Sequence, residues 1–118
     1  MKRVLVIDDV EDNRELLVQL LEDEYEVISA SDGREALRTA LRDLPDLVIT
    51  DVSLPGLDGY ELIRTLRRTP QFAERPILVV TARAMPGERE KAVRAGCDDY
   101  LTKPLDAALL LETVAKYA

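Results

Sequence analysis

Five short segments of strand character alternate with longer stretches of helical periodicity, and this alternation limits the possible folds more than any other feature. The segments cover residues 4–7, 25–30, 46–51, 77–81 and 99–104, and the stretches 4–7, 47–49 and 77–80 are continuously apolar. Continuous apolar runs are typical of strands buried on both faces of a parallel sheet. Strict strand–helix alternation therefore predicts an α/β fold, a five-stranded parallel sheet with helices on both faces. The length of 118 residues suits one domain over residues 1–118.

Apolar periodicity predicts five helices, one after each strand. The first is expected from about residue 12, the third over 59–68 and the fourth over 87–95. The second is expected to begin after an N-cap at Asp32, and the fifth after an N-cap at Asp106. The fourth has few large apolar residues to anchor it, so we expect it to move most easily. The second strand has a mixed, charged pattern that predicts an edge position.

Polar side chains of matching chemistry follow four of the predicted strands. Asp8 and Asp9 follow the first strand, Asp51 the third, Thr81 ends the fourth, and Lys103 lies at the end of the fifth. In open parallel sheets, ligands bind beyond the carboxyl ends of the strands. The sequence therefore predicts a site at one sheet edge that contains three carboxylates, a hydroxyl and an ammonium group.

Carboxylates held this close together favour a bound cation. Two unit charges 4 Å apart repel by about 4 kcal/mol at an effective dielectric constant near 20. Hard oxygen ligands without any histidine favour Mg²⁺ or Mn²⁺ over zinc or copper. A metal ion, an ammonium and a hydroxyl around a carboxylate suit a phosphoryl group, and the carboxylate can itself act as a nucleophile.

Composition argues against several other functions. The formal net charge of -7 disfavours binding to nucleic acid or to an acidic membrane surface. With no histidine, neither a Ser–His–Asp triad nor a Cys–His pair can form. Cys97 is the single cysteine, which we interpret as a packing residue in a reducing, cytoplasmic compartment. The first apolar run is too short for a signal peptide or a membrane span.

In their order and spacing, these motifs resemble the receiver domain of two-component response regulators, in particular the single-domain chemotaxis type. The resemblance spans essentially the whole chain and is carried by Asp8-Asp9, Asp51, Leu54-Pro55-Gly56-Leu57-Asp58-Gly59, Thr81-Ala82 and Lys103-Pro104. It implies a flavodoxin-like receiver fold with strand order 2-1-3-4-5.

The resemblance also implies a chemical role for the acidic residues. Asp51 would accept a phosphoryl group from a phosphohistidine on a histidine kinase or a histidine phosphotransfer protein. Asp9, Asp51 and the backbone carbonyl of Ser53 would bind Mg²⁺ directly, while Asp8 would act through a metal-bound water. The Ser53 side chain occupies a position that the family links to the dephosphorylation rate.

The remaining site residues receive their roles in the same way. Lys103 would pair with the carboxylate or with a phosphoryl oxygen, and Thr81 would donate a hydrogen bond to the phosphoryl group. Tyr100 resembles the aromatic residue that changes orientation on activation. Arg83 occupies a second position linked to the dephosphorylation rate, and the Lys103–Pro104 peptide bond would be cis.

Such a domain would be a signalling module rather than an enzyme of metabolism, although it would assist its own phosphorylation and dephosphorylation. Output is expected through the face formed by the fourth helix, the fifth strand and the fifth helix, where Tyr100 and Leu111 offer apolar area. That face would control a downstream protein, a fused effector or a phosphorylation-dependent dimer. The sequence leaves open whether the chain is a stand-alone regulator or part of a longer protein.

Three other functions are less well supported. A Mg²⁺-dependent phosphatase acting through an aspartyl intermediate would need a substrate pocket and an acid two residues after Asp51, where Ser53 stands. A flavin or nucleotide binder would need glycines in the loop after the first strand, which is acidic. A degenerate receiver used only for protein contact would not need the complete set of site residues.

Overall fold

The computed structural model describes all residues, Met1–Ala118, and it confirms the alternation of strands and helices. The strands are β1 (Arg3–Ile7), β2 (Glu26–Ala30), β3 (Leu47–Thr50), β4 (Ile77–Thr81) and β5 (Asp99–Thr102). The helices are α1 (Glu11–Leu21), α2 (Gly33–Asp43), α3 (Gly59–Arg67), α4 (Glu88–Ala95) and α5 (Ala107–Tyr117). The short 3-10 helix Pro70–Phe72 was not predicted.

All five strands are parallel, and they lie in the order β2-β1-β3-β4-β5, which confirms the order implied by the resemblance. Strand β2 lies at an edge, as its mixed pattern predicted. The chain crosses from β2 over β1 to β3, so the strand order reverses between β1 and β3. The register places Ile7 of β1 beside Thr50 of β3, and the residues that follow these two strands therefore leave the sheet at the same level.

The two faces of the sheet carry separate hydrophobic cores, because successive side chains of a strand point to opposite faces. In β1, Val4 and Val6 pack with α1 and α5, whereas Leu5 and Ile7 pack with α2, α3 and α4. Both predicted N-caps are confirmed, since Asp32 accepts a hydrogen bond from the Glu35 N–H and Asp106 from the Leu109 N–H. No helix combines the length and the apolar character needed to cross a membrane.

Candidate active site

Asp51 lies directly after β3, and every polar atom of its carboxylate is held by a neighbouring element. Its side chain is buried, with 6% of the residue exposed. One oxygen, Oδ1, accepts hydrogen bonds from the Thr81 hydroxyl at 2.7 Å and the Ser53 N–H at 3.0 Å. The other, Oδ2, accepts from Nζ of Lys103 at 2.9 Å. Three of the four strand ends predicted to meet, those of β3, β4 and β5, therefore do so at Asp51.

Lys103 connects Asp51 to Asp8, the first residue after β1. Its ammonium lies 2.7 Å from Oδ2 of Asp8, which is almost completely buried. The other oxygen of Asp8 accepts from the Val10 N–H at 3.0 Å, and Arg14 donates to the Asp8 carbonyl at 2.8 Å. The ammonium group thus bridges two carboxylates, and both of them are fixed from the opposite side.

The hydrogen bonds keep Asp51 and Lys103 charged in spite of their burial. Burial opposes ionisation of Asp51, but hydrogen bonds from Ser53, Lys103 and Thr81 outweigh it and hold the pKa of Asp51 below its usual value. Burial likewise opposes the charge on Lys103, but Asp8 and Asp51 raise its pKa above the usual value. An ionised carboxylate is the form that can act as a nucleophile.

Asp9 does not join the other two carboxylates. Its side chain is exposed, whereas that of the preceding residue, Asp8, is directed inward. No three acidic, histidine or cysteine side chains lie close enough together to hold a metal ion. The structure therefore brings together two of the three predicted carboxylates, because consecutive residues leaving the strand point in different directions. The direct metal-binding role of Asp9 stays a prediction.

The backbone of Asp51 is held as firmly as its side chain. The buried hydroxyl of Thr50 donates to the Asp51 carbonyl at 2.8 Å, a contact that sequence reasoning missed. Gly59, at the start of α3, packs so closely that a Cβ atom there would lie 2.3 Å from this carbonyl oxygen. The Gly59 N–H donates to the Val52 carbonyl at 3.1 Å. The loop 51–58 is therefore closed tightly onto the first turn of α3.

A short chain of hydrogen bonds leads from the Asp51 carboxylate to Tyr100. The Thr81 hydroxyl, which donates to Asp51, accepts from the Arg83 N–H at 3.3 Å. The phenol of Tyr100 donates to the Arg83 carbonyl, and the ring is buried. The Lys103–Pro104 peptide bond is cis, as the resemblance implied. The switch role of Tyr100 and the rate-tuning roles of Ser53 and Arg83 stay predictions.

A groove of about 310 Å³ opens beside the acidic site, between α1 and the segment that follows β5. Half of its lining residues are hydrophobic, and Leu16 of α1 is 42% exposed there. Leu17 and Leu21, rather than Leu16, are the residues of α1 buried in the core. The groove is lined by Asp8, Asn13, Leu16, Leu17, Val80, Lys103, Pro104 and Leu105.

Comparison with known proteins identifies the class to which this fold and site belong. Residues 4–115 match the family model of the response regulator receiver domain. The chain therefore belongs to this family of two-component signalling domains, as its motifs suggested.

Two curated relatives show how differently such a domain is used. The chain is 42% identical over 113 residues to the response regulator PleD of Caulobacter vibrioides, covering 95% of this chain but 25% of that protein. It is 35% identical over 117 residues to the polar-differentiation response regulator DivK of Brucella anthropi, covering 98% of this chain and 95% of that protein. The chain thus spans about a quarter of one relative and nearly all of the other.

Solved structures agree with the fold over its full length. The chemotaxis protein CheY4 of Vibrio cholerae superposes with a TM-score of 0.94 at 34% identity, covering 100% of this chain and 99% of that one. The receiver domain of the sensor histidine kinase PA1611 from Pseudomonas aeruginosa has a TM-score of 0.91 at 33% identity, covering 98% of this chain and 96% of that one. That second structure is described with a magnesium ion coordinated in its active site cleft.

Proposed function

We propose that residues 1–118 form one phosphoacceptor domain, in which Asp51 takes a phosphoryl group from a partner phosphohistidine. The observation that carries this proposal is the buried, ionised carboxylate of Asp51, held between Lys103, Thr81 and the Ser53 N–H. An oxygen of Asp51 attacks the phosphorus atom while the phosphorus–nitrogen bond breaks. The bonding electron pair leaves with the imidazole nitrogen of the partner, and the domain thereby assists its own modification.

The residues of this chain supply part of the electrostatic stabilisation that the transfer needs. Lys103 places an ammonium beside the attacking carboxylate, where negative charge accumulates on the transferred group. The Thr81 hydroxyl, which donates to Asp51, is placed to donate to a phosphoryl oxygen once that oxygen is present. Burial of Asp51 and Asp8 excludes bulk water and so strengthens both interactions.

We infer that Mg²⁺, or Mn²⁺ in its place, is the cofactor. Two inward carboxylates, Asp8 and Asp51, share a single ammonium and keep a net negative charge. Asp9 and the Ser53 carbonyl are further hard oxygen donors in the adjoining loops, and such donors suit these ions. When bound, the ion supplies positive charge that neutralises the phosphoryl oxygens.

The phosphodonor is proposed to be a cytoplasmic histidine kinase or histidine phosphotransfer protein that docks at the groove beside Asp51. That groove combines exposed apolar area on Leu16 with direct access to Asp8 and Lys103. An apolar helix face of the donor would fill it and bring its phosphohistidine to the site.

Output is proposed to leave through the face made by α4, β5 and α5. Val93 of α4 and Leu109 and Leu111 of α5 are exposed large apolar residues. This face would bind a downstream protein or a fused effector, or form a dimer after phosphorylation. No direct contact of this domain with nucleic acid or membrane is proposed.

Thr81 and Tyr100 are proposed to act as one two-state element that connects Asp51 to this face. Moving a population from about 1:99 to 99:1 requires roughly 5.5 kcal/mol, whereas one charge-assisted hydrogen bond contributes roughly 1.5–3 kcal/mol. Phosphorylation alone therefore shifts the equilibrium in part, and partner binding completes the shift. The direction of Thr81 toward Asp51 and the buried Tyr100 ring fit an active-like arrangement that exists before phosphorylation.

Phosphorylation of Asp51 is tested with a small-molecule phosphodonor, such as acetyl phosphate, in the presence of Mg²⁺. Intact-protein mass spectrometry should detect one added phosphoryl group, stable in acid and labile in base. The group should be absent from Asp51→Asn and present in Asp12→Asn, which alters an exposed acid of α1. Equal incorporation by wild type and Asp51→Asn would contradict the proposal.

A further inference from the structure

Tyr60, in the first turn of α3, is a buried polar side chain that the chemistry above does not use. Only 3% of the residue is exposed, and its phenol donates a hydrogen bond to the carboxylate of Glu88. Glu88 is the first residue of α4. One turn further on, the ammonium of Lys91 lies 4.6 Å from the centroid of the Tyr60 ring. Tyr60 therefore connects two helices through both its hydroxyl and its ring.

The backbone beside Tyr60 is attached directly to the phosphoacceptor loop. The preceding residue, Gly59, donates to the Val52 carbonyl and leaves no room for a side chain against the Asp51 carbonyl. Any displacement of the Asp51 peptide must therefore displace the first turn of α3 as well, because closely packed backbone cannot absorb it. Tyr60 lies in that turn.

The loop that Tyr60 reaches is held at both ends by tyrosine hydroxyls. Residues 82–87 are all exposed. At the beginning of this loop the Tyr100 phenol donates to the Arg83 carbonyl, and at its end the Tyr60 phenol donates to Glu88. Burial and the neighbouring Glu88 carboxylate raise the pKa of Tyr60 to about 12, so its hydroxyl stays protonated near neutral pH.

We propose that Tyr60 is a positioning residue that couples the phosphoacceptor loop to the start of α4 through Glu88, alongside the path through Thr81 and Tyr100. This inference rests on the proposed function. The Tyr60–Glu88 hydrogen bond occurs together with the hydrogen bond from Thr81 to Asp51. On this proposal a phosphoryl group on Asp51 would favour the arrangement that holds both bonds, and by linkage the loss of the Tyr60–Glu88 bond would then weaken binding of that group.

The test measures binding of beryllofluoride with Mg²⁺, a mimic of the phosphoryl group. Tyr60→Phe removes the hydroxyl and keeps the ring, and we expect it to weaken binding by roughly fivefold, at the lower end of typical coupling between sites. Glu88→Ala should have the same effect, whereas Glu88→Gln keeps an acceptor oxygen and should restore most of the affinity. Glu90→Gln, an exposed acid on the same helix, is the matched control.

A merely structural role for Tyr60 is separated from coupling by the double variant and by amide exchange. If one contact carries the effect, Tyr60→Phe combined with Glu88→Ala should lose no more affinity than either change alone. The mimic should also slow amide exchange over residues 88–95 more in the wild type than in Tyr60→Phe.

Three results would overturn the inference. They are unchanged mimic affinity in folded Tyr60→Phe, fully additive losses in the double variant, and equal protection of α4 by the mimic in both proteins. A wild type that does not bind the mimic would contradict the proposed function itself, so the two failures are distinguishable. If Tyr60→Phe does not fold, Glu88→Ala, which alters a half-buried residue, provides the same comparison.

Discussion

Helices α3 and α4 pack side by side on the same face of the sheet, but they are held there by different interactions. More than half of α3 is buried, whereas α4 buries only two small side chains. In α3 the buried residues are Gly59, Tyr60, Leu62, Ile63 and Leu66, and in α4 they are Ala92 and Ala95. Burial of a leucine or isoleucine stabilises a helix position by about 1.5–3 kcal/mol, which α4 lacks.

Polar contacts at its two ends hold α4 instead. Glu88 accepts from Tyr60, Arg89 donates to the Tyr100 carbonyl at 3.3 Å, and Arg67 of α3 donates to the carbonyl of Gly96, just after α4, at 2.8 Å. Each such bond contributes about 0.5–3 kcal/mol. One face of the sheet thus carries the firmly packed helix α3 beside α4, which can move at a small cost in free energy.

The largest expected difference between the two helices comes from removing one apolar side chain from each. Leu66 is completely buried, so Leu66→Ala should lower the free energy of unfolding by about 2–5 kcal/mol. Val93 is 53% exposed, and Val93→Ala should change the free energy of unfolding by no more than about 0.5 kcal/mol. Urea denaturation at neutral pH measures both values. Similar losses in the two variants would mean that α4 is anchored as firmly as α3.

The glycines at the two helix starts give the next largest contrast. A Cβ atom on Gly59 would lie 2.4 Å from the Val52 Cα, so Gly59→Ala should cost about 2–3 kcal/mol and slow phosphorylation of Asp51. Gly87 has a φ of 91° with nothing within 4 Å of the added atom, so Gly87→Ala should cost about 1 kcal/mol from backbone strain alone. Thermal unfolding should show the smaller shift for Gly87→Ala. The reverse order would contradict close packing at the α3 start.

Arg67 tests the connection between the C-terminal ends of the two helices. Its guanidinium donates to the Gly96 carbonyl at 2.8 Å, the Phe72 carbonyl at 2.6 Å and the Asp98 carboxylate at 2.8 Å. Arg67→Met keeps the aliphatic stem and should cost about 1.5–3 kcal/mol, with faster amide exchange near Gly96. Arg68→Met alters a side chain that is 66% exposed and serves as the control. Equal stability of the two variants would contradict this role.

The last expected effect is the pH dependence of the contact at the N-terminal end of α4. Because the pKa of Tyr60 is raised to about 12 in the folded protein, the phenol stabilises the fold fully below its unfolded pKa of about 10. That contribution is lost as the pH rises toward 12. The difference in unfolding free energy between wild type and Tyr60→Phe should therefore shrink between about pH 10 and pH 12. A constant difference over this interval would show that the hydroxyl does not stabilise the fold through its proton.

The sequence predicted those site residues that directly follow a strand, because strands and helices alternate regularly along the chain. Asp51 and Thr81 each stand at the end of a recognisable apolar run and Lys103 follows a short fifth strand, and parallel strands must present those ends at one edge. The side-chain directions of Asp8 and Asp9 were not predictable, because turn conformation beyond a strand is set by neighbours. Thr50 was also missed, since a single hydroxyl in a buried run has no periodic signal.

The sequence by itself determined the class of fold, the order of its elements and the chemistry at the sheet edge, because hydrophobic period and residue type act locally. The tertiary structure decided what joins these elements. The bonds from Arg67 to Gly96 and to Asp98, and from Tyr60 to Glu88, link residues that are neighbours only after the sheet has formed. The direction of such long side chains depends on which carbonyls and carboxylates the packed backbone leaves within reach. For that reason no pattern along the chain revealed how α4 is held.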